Sequence, residues 1–155
     1  MFFTLIKFVV GLVFIAFIIL WGRTWQIEHS KNQSIFASGK VPNPLPSGLY
    51  SGSVPGHKVS WLGKKFDATS STGINVFQQG STTVEEYPFK TYVGKGLRDK
   101  GISVLKIDYN SPSNPFWLRF ILDEIVEVSP GQYLGKLHVI IATFPFTLGY
   151  FELKK

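Results

Sequence analysis

The chain has 155 residues, a length that favours one folded domain with an appendage over two full domains. Hydrophobic residues make up 45% and charged residues 17% of the chain, a balance that excludes disorder as a description of the whole protein. The chain has no cysteine, which excludes disulfides, thiolate metal sites and thiol catalysis. The net charge is +6, but Asp and Glu interrupt the basic residues and no nucleic-acid-binding motif occurs. We therefore expect no nucleic-acid partner.

The beginning of the chain predicts a transmembrane helix. Between Phe2 and Trp21 the only polar residues are Thr4 and Lys7, and a helix of that length spans about 30 Å of hydrocarbon. A cleaved signal peptide is the alternative, but the apolar run ends I-I-L-W-G-R-T-W, without the small residues that a cleavage site needs. We therefore expect residues 1–22 to be an uncleaved, single-pass membrane anchor.

Two arguments about the orientation of this anchor disagree. More Lys and Arg residues follow the helix than precede it, which favours a cytoplasmic location for the rest of the chain. A short N-terminal tail before a single span, however, is typical of an uncleaved signal whose body is exported. We expect the exported side of a bacterial envelope, either periplasmic or extracellular.

Residues 23–47 are predicted to be a linker. The segment is polar and then proline-rich, and its V-P-N-P-L-P run favours extended backbone. A run of this kind forms a semi-rigid strap that would hold a folded unit, residues 48–155, off the membrane. Ile35 and Phe36 are apolar exceptions, which we expect to pack on lipid headgroups or on the folded unit.

The remainder of the chain alternates short β-forming runs with turn residues. Several short strands at intervals of about 8–12 residues predict a β-barrel or sandwich, and no strand–helix–strand rhythm is present. We expect an all-β, antiparallel barrel of about 8–10 strands, closed by the C-terminal run against the first strand. The predicted strands are Leu49–Val54, Lys58–Leu62, Lys65–Thr69, Ile74–Gln78, Phe89–Val93, Ser103–Tyr109, Ile125–Val128, Tyr133–Ala142 and Thr147–Leu153.

Two local elements inside this domain can be predicted from turn and cap residues. The Ser-Pro-Gly run at residues 129–131 separates two β-forming runs within Asp123–Ala142, which indicates a hairpin. Asn114 is a good N-cap and Pro115 suits the first helical position, so one short helix or turn is expected from Pro115 to about Leu122.

Three short segments resemble a known group of families. Residues 48–52, G-L-Y-S-G, are similar to the G-x-W-x-G motif of small bacterial lipocalin-like proteins, with Tyr50 in the place of Trp. Residues 61–66, W-L-G-K-K-F, resemble the W-x-G-K-x-F that follows in such families. The D-E pair at 123–124 with Y-L-G-K at 133–136 resembles their D-E…Y-L-G-K segment. The resemblance implies a calycin-type barrel that binds a hydrophobic ligand, and it implies no particular activity.

The segment from Lys106 to Glu124 combines charged, amide and aromatic residues with large apolar ones. One interpretation is structural: Arg119 forms an ion pair with Asp108 or Asp123 that ties a loop to the barrel wall. The other is a barrel mouth where Arg119 receives a carboxylate or phosphate head and aromatic residues hold the tail.

On the second interpretation we expect a ligand-binding site without a metal or a cofactor, and we assign no catalytic residue. The candidate ligand-binding residues are Tyr50, Trp61, Tyr92, Asp108, Asn114, Trp117, Arg119, Asp123 and His138.

Three functions remain open at this level. The first is a membrane-anchored protein that binds a hydrophobic or amphipathic small molecule, such as a lipid or fatty acid, at the bilayer. The second is an enzyme on a lipid-like substrate with Asp123 or Glu124 as acid or base. The third is a scaffold with a filled barrel that binds another envelope protein. The composition does not decide whether the protein is an enzyme, although it gives no motif for one.

Overall fold

From residue 48 onward, the chain forms antiparallel strands whose side chains alternate between the two faces of the sheet. These strands close into a barrel. The computed structural model describes residues 2–155, with side chains from residue 4 onward, and these residues contain eight barrel strands in sequence order. β8 pairs with β1, with Ser51 opposite Lys154, so no strand edge is left open. The strands are β1 Gly48–Ser53, β2 Trp61–Asp67, β3 Thr72–Gln79, β4 Thr82–Lys95, β5 Ser103–Asp108, β6 Ile121–Ser129, β7 Gln132–Ile141 and β8 Phe144–Lys154. The predicted fold class and the closure by the C-terminal run are confirmed.

One pair of predicted strands forms a single strand. The sequence predicts separate strands at Lys58–Leu62 and Lys65–Thr69, whereas β2 runs without a break from Trp61 to Asp67. An irregularity in the β2–β3 pairing between Trp61 and Gly63 lets the strand continue. Gly63 has a φ of +140°, and a Cβ there would lie 1.9 Å from the carbonyl oxygen of Tyr50. Only glycine therefore fits this close approach between β1 and β2.

The hairpin and the short helix lie where the sequence predicts them, but the predicted cap is wrong: Pro115, not Asn114, is the N-cap residue, and no side chain caps the helix. β6 and β7 are joined at Pro130 and Gly131, and Gly131 has a φ of +70°. A 3-10 helix covers Phe116–Phe120 directly before β6; we call it the short helix. At its beginning, the Leu118 N–H donates to the Pro115 carbonyl oxygen at 3.0 Å.

A long apolar helix, α1 (Phe2–Glu28), precedes the barrel. By length and composition, Thr4–Glu28 could span a membrane or serve as a signal sequence, with a mean hydropathy of 2.6. Of the predicted anchor, Met1 lies outside the described residues. The second half of α1 packs along β8: the ring of Phe17 lies 5.2 Å from that of Phe146, and the Thr147 N–H donates to Thr24 Oγ1 at 2.9 Å.

A second helix, α2 (Lys31–Ser38), lies inside the segment expected to be a linker. Its eight residues are too few for a clear helical period, and isolated helices of that length are unstable in water. Packing on the barrel stabilises it instead: Phe36 is fully buried in a cluster with Val126 and Tyr150. A Cβ on Gly39 would lie 2.4 Å from Cγ2 of Val126, so the chain passes very close to β6 as it leaves the helix.

The two ends of the barrel differ. The filled end carries the β2–β3 turn, the β6–β7 turn and the C-terminus, and its interior is packed with large side chains. The mouth end carries the loop 54–60, the β3–β4 turn, the short helix and the β7–β8 turn. The interior side chains of the filled end include Tyr50, Phe66, Phe89, Leu105, Ile125, Tyr133 and Leu153.

Candidate functional site

A cavity of about 470 Å³ occupies the mouth-end half of the barrel interior. Its walls are mainly apolar and include Phe77, Leu137 and Phe151. Val59 and Trp117 also line it and are exposed to solvent, so the cavity reaches the surface at the mouth end. A largely apolar cavity of this size with a few polar groups is typical of a small-molecule site.

The floor of this cavity is a buried ion pair. Lys64 Nζ lies 3.0 Å from Asp123 Oδ2, and both side chains are less than 5% exposed. The same Nζ donates to Asn75 Oδ1 at 2.9 Å and to the hydroxyl oxygen of Tyr109. Lys64 lies in β2, Asn75 in β3 and Asp123 in β6, and Tyr109 directly follows β5. The polar floor therefore depends on the register of the whole barrel. We call Lys64, Asn75, Tyr109 and Asp123 the floor cluster.

Aromatic rings surround the ammonium group of Lys64. Nζ lies 5.3 Å from each of the ring centroids of Trp61, Phe89 and Phe151. Cation–π contacts and the Asp123 carboxylate offset part of the cost of burial. Burial nevertheless lowers the pKa of Lys64 below its usual value, although the charge and hydrogen bond of Asp123 act in the opposite direction.

The other members of the floor cluster are linked to this pair. Tyr109 donates its hydroxyl proton to Asp123 Oδ2 at 3.3 Å, and burial together with the negative charge of Asp123 raises the pKa of Tyr109 well above its usual value. Asn75 Nδ2 donates to the Tyr87 carbonyl oxygen at 3.1 Å and to Tyr109 at 3.0 Å. Asp123 Oδ1 has no hydrogen-bond partner among the described residues.

Three of the nine residues expected to bind ligand line this cavity. Asp123 lies in its floor, Trp61 in its wall and Trp117 at its opening. Trp61 Nε1 donates to Asn75 Oδ1 at 3.1 Å, which fixes the indole against the floor cluster. Trp117 is 63% exposed and packs edge-to-face on Tyr87.

Three further predicted residues share a groove on the outside of the barrel. Tyr92, Asp108 and Arg119 line a groove of about 590 Å³ beside the short helix. The expected ion pair of Arg119 with Asp108 or Asp123 does not form. Arg119 donates instead to the carbonyl oxygens of Asn114 and Pro112 at 3.0 and 2.8 Å. Asp123 faces the interior, on the other side of the wall, where Lys64 neutralises it.

The remaining three predicted residues lie apart from both sites. Tyr50 is buried at the filled end, 3.5 Å from the hydroxyl of Tyr133. Asn114 clamps the loop before the short helix by donating to the carbonyl oxygens of Pro88 and Tyr109, each at 2.8 Å. His138 is fully buried on the outer face of β7 beneath α1.

His138 belongs to a second buried polar cluster, outside the barrel. Its Nε2 lies 3.2 Å from Glu124 Oε2 and its Nδ1 lies 3.1 Å from Thr147 Oγ1. Glu124 Oε1 also accepts the Leu97 N–H at 2.8 Å. The Leu97–Glu124 hydrogen bond fastens the loop 96–102 to the barrel wall. Since successive residues of a strand face opposite sides, Asp123 and Glu124 occupy different environments.

Lys64, Asn75 and Tyr109 are site residues that are absent from the set predicted from the sequence. The lysine lies within the W-L-G-K-K-F segment at residues 61–66, whose resemblance to a family motif was the available signal. Asn75 lies in a short β-forming run, and nothing in its neighbourhood distinguishes it from a surface amide.

The fold is shared with a solved structure. This chain is similar to the crystal structure of a protein from Thermomonospora curvata, with a TM-score of 0.56 and 15% sequence identity over 79% of this chain and 84% of that chain. No protein-family model and no curated protein matches the chain. Fold and site together define a class: a closed eight-stranded antiparallel barrel with an interior cavity, preceded by an apolar helix.

Proposed function

We propose that this protein is a membrane-anchored barrel that binds an apolar or amphipathic small molecule, such as a lipid, in the mouth-end cavity. The observation that carries the proposal is an apolar cavity of about 470 Å³ that ends on the buried Lys64–Asp123 pair. The closed barrel in sequence order supports kinship with the lipocalin-like, calycin-type families that residues 48–52 and 61–66 resemble.

Membrane anchoring is supported by the way α1 meets the barrel. Apolar side chains from Leu5 to Ile19 are exposed along this helix, an apolar surface that a bilayer would cover. Thr24 and Ile27, near its other end, are buried against the barrel. A helix whose last turns belong to the folded unit is better suited to a retained anchor than to a removable signal.

The cavity mouth and the anchor lie on the same side of the molecule. α1 runs in the same direction as β8, and Phe17 meets Phe144 at the beginning of that strand. The preceding turns of α1 therefore project beyond the mouth end, by about 20 Å at 1.5 Å per residue. The exposed side chains at this end are Phe116, Trp117 and Phe120 of the short helix and Ile141 and Phe144 of the β7–β8 turn. On this proposal, the mouth end rests on the bilayer and a ligand enters the cavity from the lipid.

The two alternative functions have less support. Lys64 already neutralises Asp123, and Glu124 lies on the outer side of the wall beside His138, so neither carboxylate is placed as a free acid or base in the cavity. The scaffold function assumes a filled barrel interior, and only the filled end of this barrel has one. Binding of another envelope protein stays a prediction, for which the groove beside Arg119 is a candidate surface.

Ligand binding is tested with the full chain in mild detergent. We expect native mass spectrometry to show a co-purifying small molecule, and an environment-sensitive probe such as N-phenylnaphthylamine to bind and fluoresce. Leu137→Trp, which fills the cavity, should abolish probe binding, whereas Leu49→Trp on the exposed side of β1 should not. Equal probe binding by both variants would contradict the assignment of the cavity.

The seating of the mouth end on the bilayer is tested by labelling. Because the chain has no cysteine, single Phe116→Cys and Gln132→Cys variants each give one labelling position. In nanodiscs, spin-labelled lipid should quench a fluorophore at the mouth-end position and leave the filled-end position unaffected. Equal quenching of both would overturn this orientation. A C-terminal reporter active on only one side of the membrane tests the predicted export.

A further inference from the structure

We infer that the bound molecule carries a neutral hydrogen-bond donor, a hydroxyl or an N–H, at its polar end, and that it is not an acid. This inference rests on the proposed function, since it assigns the chemistry of the occupant of the same cavity. It follows from the unused hydrogen-bonding capacity of the floor cluster.

The ammonium group of Lys64 has no capacity left for an acidic ligand. It has three N–H donors, and three acceptors surround it: Asp123 Oδ2, Asn75 Oδ1 and the hydroxyl of Tyr109. Its charge is also balanced by Asp123 at 3.0 Å. A carboxylate or phosphate in the cavity would have to displace one of these buried partners.

The other donors of the floor are used as well. Both N–H groups of the Asn75 amide are directed to oxygen atoms, those of Tyr87 and Tyr109. The indole N–H of Trp61 is donated to Asn75 Oδ1. The buried floor therefore offers an incoming molecule no free donor from these side chains.

The hydrogen-bonding group of the floor cluster that is still without a partner is an acceptor. Asp123 lines the cavity beside apolar Leu137, and its Oδ1 is buried without a hydrogen-bond partner in the part of the chain that the structure describes. An unsatisfied buried carboxylate oxygen is costly, and it gains most from a donor brought in by a ligand. An anionic head at the same place would meet like charge in an environment of low polarity.

The class of ligand follows from this placement. The apolar walls formed by Phe77, Leu137 and Phe151 suit a hydrocarbon body, and the free acceptor at the floor suits a single hydroxyl at the inner end. A long-chain or alicyclic alcohol meets both requirements, whereas a fatty acid of the same length meets only the first.

The test compares three matched ligands on the full-length wild-type protein in detergent at neutral pH, where the acid is ionised. Dodecanol, dodecanoate and dodecane compete with bound N-phenylnaphthylamine. We expect dodecanol to bind about tenfold or more tightly than either of the others, the effect of one hydrogen bond to a charged acceptor. Dodecanoate as tight as the alcohol, or dodecane as tight as the alcohol, overturns the inference and leaves the proposed function standing. Failure of the probe and of all three ligands to bind overturns the proposed function itself.

A variant pair connects the preference to the floor cluster. Lys64→Met with Asp123→Leu replaces the ion pair by apolar side chains, so we expect the preference for the alcohol over the alkane to disappear. Lys65→Met with Glu85→Leu removes an exposed ion pair from the outside of the barrel and should leave the preference unchanged. A preference that survives the first pair of substitutions contradicts the role of Asp123, and the wild-type comparison decides the matter if that variant does not fold.

Discussion

At the scale of single residues, the Lys64–Asp123 pair is the most demanding feature of the interior. Removing one partner leaves the other charge buried and unpaired, so Lys64→Met and Asp123→Leu should each lower the free energy of unfolding by about 3–5 kcal/mol. The double variant should be less destabilised than either single one, because no charge remains in the interior. Denaturant unfolding of the full chain in detergent measures this.

The exposed Lys65–Glu85 pair provides the matched control for these stability measurements. Its atoms are 2.9 Å apart, but both side chains are about half exposed, so its removal should cost less than about 1 kcal/mol. If the double variant loses as much free energy of unfolding as the two single variants together, Lys64 and Asp123 are not coupled.

The two shifted pKa values at the floor predict opposite trends of stability in alkaline solution. Between the lowered pKa of Lys64 and its usual value of 10.5, the unfolded chain binds more protons, so the contribution of Lys64 to stability rises with pH. Above the usual Tyr109 value of 10.0 the folded chain holds a proton that the unfolded chain has lost, so the contribution of Tyr109 falls.

Unfolding titrations against pH can separate these two contributions. The stability of wild type relative to Lys64→Met should increase as the pH approaches 10.5. The stability of wild type relative to Tyr109→Phe should decrease above pH 10.0. Parallel pH profiles for wild type and either variant would contradict the corresponding assignment.

At the scale of elements, α2 shows how tertiary packing produces a helix that the sequence does not specify. Phe36 is its one fully buried side chain, so Phe36→Ala should cost about 3–5 kcal/mol and expose the helix to proteolysis. Ile35, on the exposed side of the same helix, is the control, and Ile35→Ala should cost about 0.5 kcal/mol or less. Limited proteolysis and thermal unfolding compare the two variants, and equal effects would show that α2 is not docked.

At the scale of the whole molecule, the helices and the barrel form one folded unit. The C-terminal end of α1 and the whole of α2 cover an outer face of the barrel that contains Val104, Val126 and Leu134. In addition, Gln33 Nε2 donates to Asp99 Oδ1 at 2.6 Å. A chain of residues 23–155 keeps this cover, whereas a chain of residues 41–155 exposes the face and loses those contacts.

Truncation therefore has different consequences at the two positions. We expect residues 23–155 to unfold near the temperature of the full chain and residues 41–155 to unfold about ten degrees or more below it. Differential scanning calorimetry measures both. Equal unfolding temperatures for the two fragments would show that the cover contributes little.

Features that depend on local patterns can be predicted from the amino-acid sequence. Runs of alternating residues between turns predict the barrel, Pro130 and Gly131 predict the hairpin, and Asn114 with Pro115 predicts the short helix. An apolar run long enough to span a bilayer is equally local, because its length and composition are read directly along the chain.

The identity of the side chains that meet in the interior depends on the three-dimensional fold. Lys64 and Asp123 lie on strands that are not neighbours in the barrel, so their pairing depends on the register of every strand between them. The same register turns Asp123 inward and Glu124 outward, and places Arg119 in an outer groove away from the cavity floor. Contacts of this kind are set by closure of the barrel, a non-local event that no run of neighbouring residues encodes.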